Sequence, residues 1–154
     1  MYTIENFTTD FIDYLKDNLN TKIDALNLDN EDGLLKQINK KDYYFSTENN
    51  VQNRVAQGIF YYTPEIVAIT GNQKFGLTYN WRIELAYSDG GREAKIDTMQ
   101  KLLRYQVALQ LCIQDFFKRV GYCVPEIAAV GFKDEKTGTS LYRIVNFSIS
   151  ATIA

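Results

Sequence analysis

A chain of 154 residues, 45% hydrophobic and 23% charged, has the length of one domain and enough apolar material for a sizeable core. Its formal net charge of −2 excludes the strongly basic face on which nucleic-acid binders depend. No uninterrupted apolar run is long enough to cross a bilayer, and His is absent, which removes the commonest general base and metal ligand near neutral pH.

The first residues, Met1-Tyr2-Thr3-Ile4-Glu5, lack the basic and apolar regions of a signal peptide, so the expectation is a chain kept in the cytoplasm. Phe7, Phe11, Leu15, Leu19 and Ile23 then recur every four residues, with Ile4, Tyr14 and Leu26 on the same side. That spacing predicts an amphipathic helix from about Ile4 to Asn20, with a continuation to Leu26 open. Between Asn27 and Gly58 the pattern weakens. A polar break at Asp29-Asn30-Glu31-Asp32-Gly33 precedes a short Leu34–Ile38 segment and the pair Lys40-Lys41. Tyr43-Tyr44-Phe45 fits a short strand, and the polar residues from Ser46 to Gln57 read as a loop. Connections of this length are uncommon inside a compact domain unless they serve as contact arms. The chain is therefore expected to be a single domain over residues 1–154 with a contact arm or insertion at about 27–58.

Ile59 to Tyr62 and Glu65 to Thr70 are strand-like and separated at Pro64, which has no N–H to donate to a ladder. Gly71-Asn72-Gln73-Lys74-Phe75-Gly76 turns the chain into a long strand, making a hairpin. In that strand Leu77, Tyr79, Trp81, Ile83, Leu85 and Tyr87 alternate with Thr78, Asn80, Arg82, Glu84, Ala86 and Ser88, the pattern of a strand with one buried face. After Asp89-Gly90-Gly91 the period changes to that of a helix, from about Arg92. Met99, Leu102, Tyr105, Leu109, Ile113, Phe116 and Val120 line one face, flanked by Ile96, Leu103, Cys112 and Phe117. Lys118 and Arg119 suit the helix C-terminus, Gly121 is the expected left-handed cap, and Pro125 makes the stop firm. The apolar arc is wider than one sheet contact requires, so either the first helix packs beside it or part of it meets another chain. Glu126 to Phe132 reads as a strand, Lys133 to Thr139 as a charged turn. The last strand alternates Val145, Phe147, Ile149, Ala151 and Ile153 with Asn146, Ser148, Ser150 and Thr152. The predicted fold is α+β: an antiparallel (mixed) sheet of about four to five strands against two main helices, in the order α-β-β-β-α-β-β.

Residue chemistry offers no catalytic centre. Without His, nucleophile–His arrangements and His-based zinc sites are excluded, and Cys112 and Cys123 have no metal-site spacing. Two cysteines do not make a disulfide framework, which fits a reducing compartment. Asn6-Phe7-Thr8 and Asn146-Phe147-Ser148 match the glycosylation pattern only by chance in that setting. Aligning Gly33 with the invariant glycine of a calcium loop puts Leu28 and Asn39 at key ligand positions, so no such loop is assigned. Gly71 to Gly76 has the outer spacing of a phosphate loop, but Leu77 stands where Lys is needed and a strand follows instead of a helix. Glu84 and Asp97 are read as solvated surface. Tyr43-Tyr44-Phe45 and Phe60-Tyr61-Tyr62 have the aromatic content to stack single-stranded nucleic acid, but the acidic balance favours edge strands and core. No cofactor, metal or catalytic residue is assigned, and no enzyme activity is expected.

The order of elements resembles that of the tail-terminator or tail-completion (neck) proteins of tailed bacteriophages. The parts that carry the likeness are the Glu65–Ile69 and Leu77–Tyr87 strands, the Asp89-Gly90-Gly91 turn, the Met99–Val120 helix and the Val124–Ala129 strand. The resemblance implies a structural virion protein, assembled in the host cytoplasm, forming a ring, a hexamer by family habit, at the head-proximal end of the tail. Such a ring ends tail-tube polymerisation, joins the tail to head connector proteins, and lets DNA pass without specific binding. It implies no membrane partner. Candidate subunit contacts are Tyr43, Tyr44, Phe45 and Arg54 on the arm and Lys133 and Lys136 at the charged turn. The Asn27–Gly58 insertion has no counterpart in the family pattern, which leaves another head–tail connector protein, or a small non-viral binding module, as alternatives.

Overall fold

The computed structural model describes residues 3–46, 57–68, 77–88, 95–137 and 140–153. Helix α1 spans Ile4–Asp29 and opens with a capping box. The Asn6 amide N–H donates to the Thr3 hydroxyl at 3.4 Å, and the Asn6 carbonyl oxygen accepts from the Thr3 amide at 2.9 Å. The helix runs past Asn20 because Ile23 is buried in register with Phe7, Phe11, Ile12, Leu15 and Leu19. It ends in a paired-carbonyl motif: Asp32 N–H reaches Asn27 O at 3.0 Å and Glu31 N–H reaches Leu28 O at 3.1 Å. This closure places Glu31 in the left-handed region, at φ 54, where glycine is the usual occupant.

The sheet is built on β4 (Leu77–Ser88). Strands β2 (Gln57–Tyr62) and β3 (Glu65–Ala68) lie end to end, antiparallel, along one side of it, with a one-residue register change at Thr63-Pro64. The predicted hairpin is therefore present, and the six strands make a sheet five strands wide. Strand β1 (Tyr43–Ser46) pairs parallel with β2 and forms one edge. On the other side β4 pairs along its whole length with β6 (Ser140–Ile153), from Leu77↔Ile153 to Ser88↔Tyr142. Strand β5 (Val124–Thr137) forms the far edge, so the order is β1-β2-β4-β6-β5. Helix α2 (Lys95–Arg119) carries the chain from β4 to β5 across β6.

Phe7 and Phe11 of α1, Phe116 of α2 and Trp81 of β4 meet at the centre of the core, with the Phe11 ring 5.0 Å from Trp81 and 5.1 Å from Phe116, both edge-on. Trp81, Ile83, Leu85 and Tyr87 of β4 and Val145, Phe147, Ile149 and Ala151 of β6 supply the sheet side. Cys112 lies in this core, and burial pushes its thiol up to about 12.

Four sequence expectations need correction. Residues Lys133–Lys136 are not a turn. They continue β5, paired Lys133↔Ile144 through Lys136↔Leu141, and two of the charges, Lys133 and Asp134, find partners in strand geometry. Asp134, for example, accepts from Arg143 across the hairpin at 2.6 Å. Gly121 does not take the left-handed conformation; α2 simply ends at Arg119, and a Cβ at Gly121 meets nothing within 4 Å. Met99 is not on the inward face of α2 but half exposed, since that face is formed by Tyr105, Ala108, Leu109, Cys112, Ile113 and Phe116. Finally, β4 is not buried on one face only. Glu84 and Ala86 on its other face are 0% and 1% exposed.

That second face carries its own apolar cluster of Phe60, Tyr62, Ala86, Tyr142 and Ile144, with Tyr44 stacked on Phe60 at 5.3 Å. Close approach of β1 to β2 depends on Gly58. A Cβ there would lie 2.9 Å from Asp42 O, the acceptor of the Ile59 amide.

Candidate assembly surface

The first part of the proposed arm is packed down. Leu35 and Ile38 are buried, and their backbone is gripped by two asparagines of α1. Asn27 accepts from Leu35 N–H at 3.0 Å and donates to Leu35 O at 2.8 Å; Asn20 does the same for Ile38, both at 2.8 Å. Between them the Tyr105 hydroxyl accepts from Lys36 N–H at 3.0 Å and donates to Lys36 O at 3.1 Å. Each side chain supplies the donor and acceptor that a neighbouring strand would otherwise give, so the backbone groups of Leu35, Lys36 and Ile38 are paired in an irregular stretch. Weak apolar periodicity hides such a segment from sequence; two asparagines seven apart on the first helix are the only trace.

The candidate contact residues are not brought together. Tyr43 points into the core edge with the Lys16 ammonium 5.6 Å from its ring centre, and burial raises its hydroxyl pKa. Tyr44 lies on the opposite face and donates its hydroxyl to Asp42 at 2.7 Å. Phe45 alone of the three is open, at 55% exposure. Arg54 lies outside the described residues. Lys136 is exposed on β5. Lys133 reaches across β6 to Glu84, with Nζ 2.9 Å from Oε1.

Glu84 is thus the hub of a buried polar group, not solvated surface. The Tyr62 hydroxyl donates to its Oε2 at 2.9 Å, and Arg82 Nε lies 3.5 Å from Oε1 while its guanidinium sits 3.9 Å over the Tyr62 ring. Burial, then the Glu84 charge, drives the Tyr62 hydroxyl pKa upward, so it stays a donor. Asp97, by contrast, is exposed as expected. Phe60 and Tyr62 are buried and so are not a stacking platform.

The open chemistry of the molecule is apolar. Ile96, Met99, Leu103, Val107 and Leu111 are all exposed along α2. At about 100° per residue they fall within one arc, on the side away from Tyr105, Leu109 and Phe116. Helix α1 covers the inward face only, so it does not absorb this surplus. On the helix-facing side of the sheet edge, Val130 and Phe132 of β5 are exposed as well, opposite the fully buried Phe147 and Val145. A groove of about 670 Å3 runs between α2 and β5, lined by the apolar Met99, Leu102, Leu103 and Phe132 and by the polar Thr98, Lys133, Asp134 and Arg143. Met99 and Leu103 belong to both the outer stripe and the groove, so the two apolar surfaces meet along α2.

Among the described residues no group of three or more Cys, Asp or Glu side chains is placed to hold a metal ion, and no helix is long and apolar enough to cross a membrane. Compared with known proteins, the chain matches no family model and no curated sequence.

Proposed function

We propose that the protein is a structural subunit whose function is assembly. It forms a ring at the head-proximal end of a phage tail, stops tail-tube polymerisation, and presents its other face to the head connector. The observation that carries this reading is the outward apolar stripe of α2, continuous with the groove beside β5. A helix packed on one side and apolar on both is the signature of a surface completed by another chain. The element order adds support, since the helix, antiparallel strands, long helix and closing hairpin follow the terminator pattern. The rigid body is the sheet with its two helices, and the apolar surface lies at one side of that body, as a subunit-to-subunit contact requires.

Negative-stain imaging of the protein mixed with purified tail tubes tests the reading. Rings capping one tube end, with tube growth halted on addition of fresh tube subunits, are expected. Tubes that keep growing, with no density at either end, would overturn it.

A further inference from the structure

Resting on the ring reading, we infer that the occupant of the α2–β5 groove is the β1 edge of a second copy of this chain, with Phe45 as the inserted side chain. The two patches lie at opposite edges of one sheet, β1 at one end of the order and β5 at the other. Both are open: among the described residues β1 pairs only with β2 and β5 only with β6.

Three geometric facts make them a match. The first is the face. Phe45 pairs with Tyr61, and Tyr61 packs on the helix-side core; Val130 and Phe132 pair with Phe147 and Val145 of that same core. When two copies join sheet edge to sheet edge with their helices on the same side, Phe45 therefore arrives beside Phe132. There it meets Met99 and Leu103 above the groove. A side chain of the opposite parity, such as Tyr44, would miss it.

The second is direction. Strand β5 is antiparallel to β6, β6 to β4 and β4 to β2, while β1 is parallel to β2. Strand β1 thus runs antiparallel to β5. A rotation about an axis lying along the strands preserves this sense, so each copy meets the next in an antiparallel pairing. Such a contact is heterologous, the kind that builds a ring when the rotation between copies closes.

The third is regularity. The one irregularity of β5, between Ile127 and Ala129, lies before the contact; from Val130 to Thr137 the pairing is continuous and leaves a straight free edge for a strand the length of β1. Main-chain hydrogen bonds then supply affinity, while the Phe45 side chain supplies register.

The test uses the full chain with Phe45→Glu and Phe132→Glu, like charges that cannot pair with each other, each checked for fold by circular dichroism. Both side chains are about half exposed, so the folded monomer should survive either change. The wild-type chain is expected to give a discrete oligomer by mass photometry, and each variant a species of 17.7 kDa. An equimolar mixture of the two variants is the decisive arm. One keeps an intact groove and the other an intact β1 edge, so they should form pairs and nothing larger. Should Phe132→Glu unfold, Phe132→Ser takes its place. A wild-type oligomer that Phe45→Glu leaves intact overturns this pairing while sparing the ring reading; a groove meeting its own copy would respond to Phe132 alone. A wild-type chain that stays at 17.7 kDa at every concentration overturns both.

Discussion

Replacing Glu84 by Ala separates the structural account from the sequence one. Read from sequence, Glu84 is a solvated carboxylate on the polar face of a strand, and its removal should change stability by less than about 0.5 kcal/mol. In the structure it is wholly buried, accepts from Tyr62 and pairs with Lys133 at 2.9 Å. Removing one partner of a buried ion pair costs about 3–5 kcal/mol, since the other groups are left desolvated and uncompensated. Lys133 keeps 36% of its side chain exposed and can turn to water, so the expected loss is near the lower end, about 3 kcal/mol. Urea unfolding followed by Trp81, the only tryptophan, is the assay, because that ring sits edge-on to Phe11 in the core. With a slope of about 1–3 kcal/mol per molar urea, the midpoint should fall by one molar or more. Lys133→Met in the same background should cost much less than in the wild type, because the cation then has no anion to lose. A midpoint shift below a few tenths molar for Glu84→Ala would refute the reasoning.

Three further outcomes follow from the fold. Asn27→Ala and Asn20→Ala each strip a donor and an acceptor from a part-buried backbone and should destabilise by about 1–3 kcal/mol in the same urea assay, with faster hydrogen exchange at the Leu35 and Ile38 amides respectively. Glu31→Gly relieves a left-handed residue and should raise stability by about 0.5–1 kcal/mol; no gain would mean that the helix end is not closed as described. The Lys22–Asp115 pair, 2.6 Å apart, holds the Asp115 pKa down and the Lys22 pKa up, chiefly through their hydrogen bond. Its contribution is present from about pH 4 to about pH 10, lost on acidification as Asp115 protonates and on alkalinisation as Lys22 deprotonates. Both side chains are about a third exposed, so Asp115→Asn should cost no more than about 1 kcal/mol at neutral pH and nothing near pH 2.

How far the sequence can be read depends on periodicity. The α1 stripe and the helix-facing half of the alternation in β4 and β6 survive intact, because each element buries that face against a common core; the burial of Glu84, Ala86, Tyr142 and Ile144 on the other face is what the pattern does not report. The fold class and the β2–β3 hairpin with β4 follow from them. Where charge and structure decouple, composition misleads. Lys133 to Lys136 look like a turn, yet Lys133 and Asp134 have partners, Glu84 and Arg143, that only the sheet can supply. Glu84 sits in phase with exposed polar residues, and nothing local shows that Tyr62 and Lys133 converge on it. The two-asparagine clamp is invisible for the same reason, since its grip spans eighteen residues at Asn20. Of the candidate assembly surface, the wide apolar arc on α2 was legible. Which part of it stays bare was not, because that depends on the angle at which α1 packs.

Self-association of the native chain is what the account stands on. Sedimentation equilibrium over a wide concentration range should show a discrete multiple of 17.7 kDa for the wild type, and 17.7 kDa alone once Leu103 and Val107 on the outer stripe of α2 are both changed to Glu. A wild-type chain that remains at 17.7 kDa throughout, or an oligomer indifferent to those two charges, would contradict it.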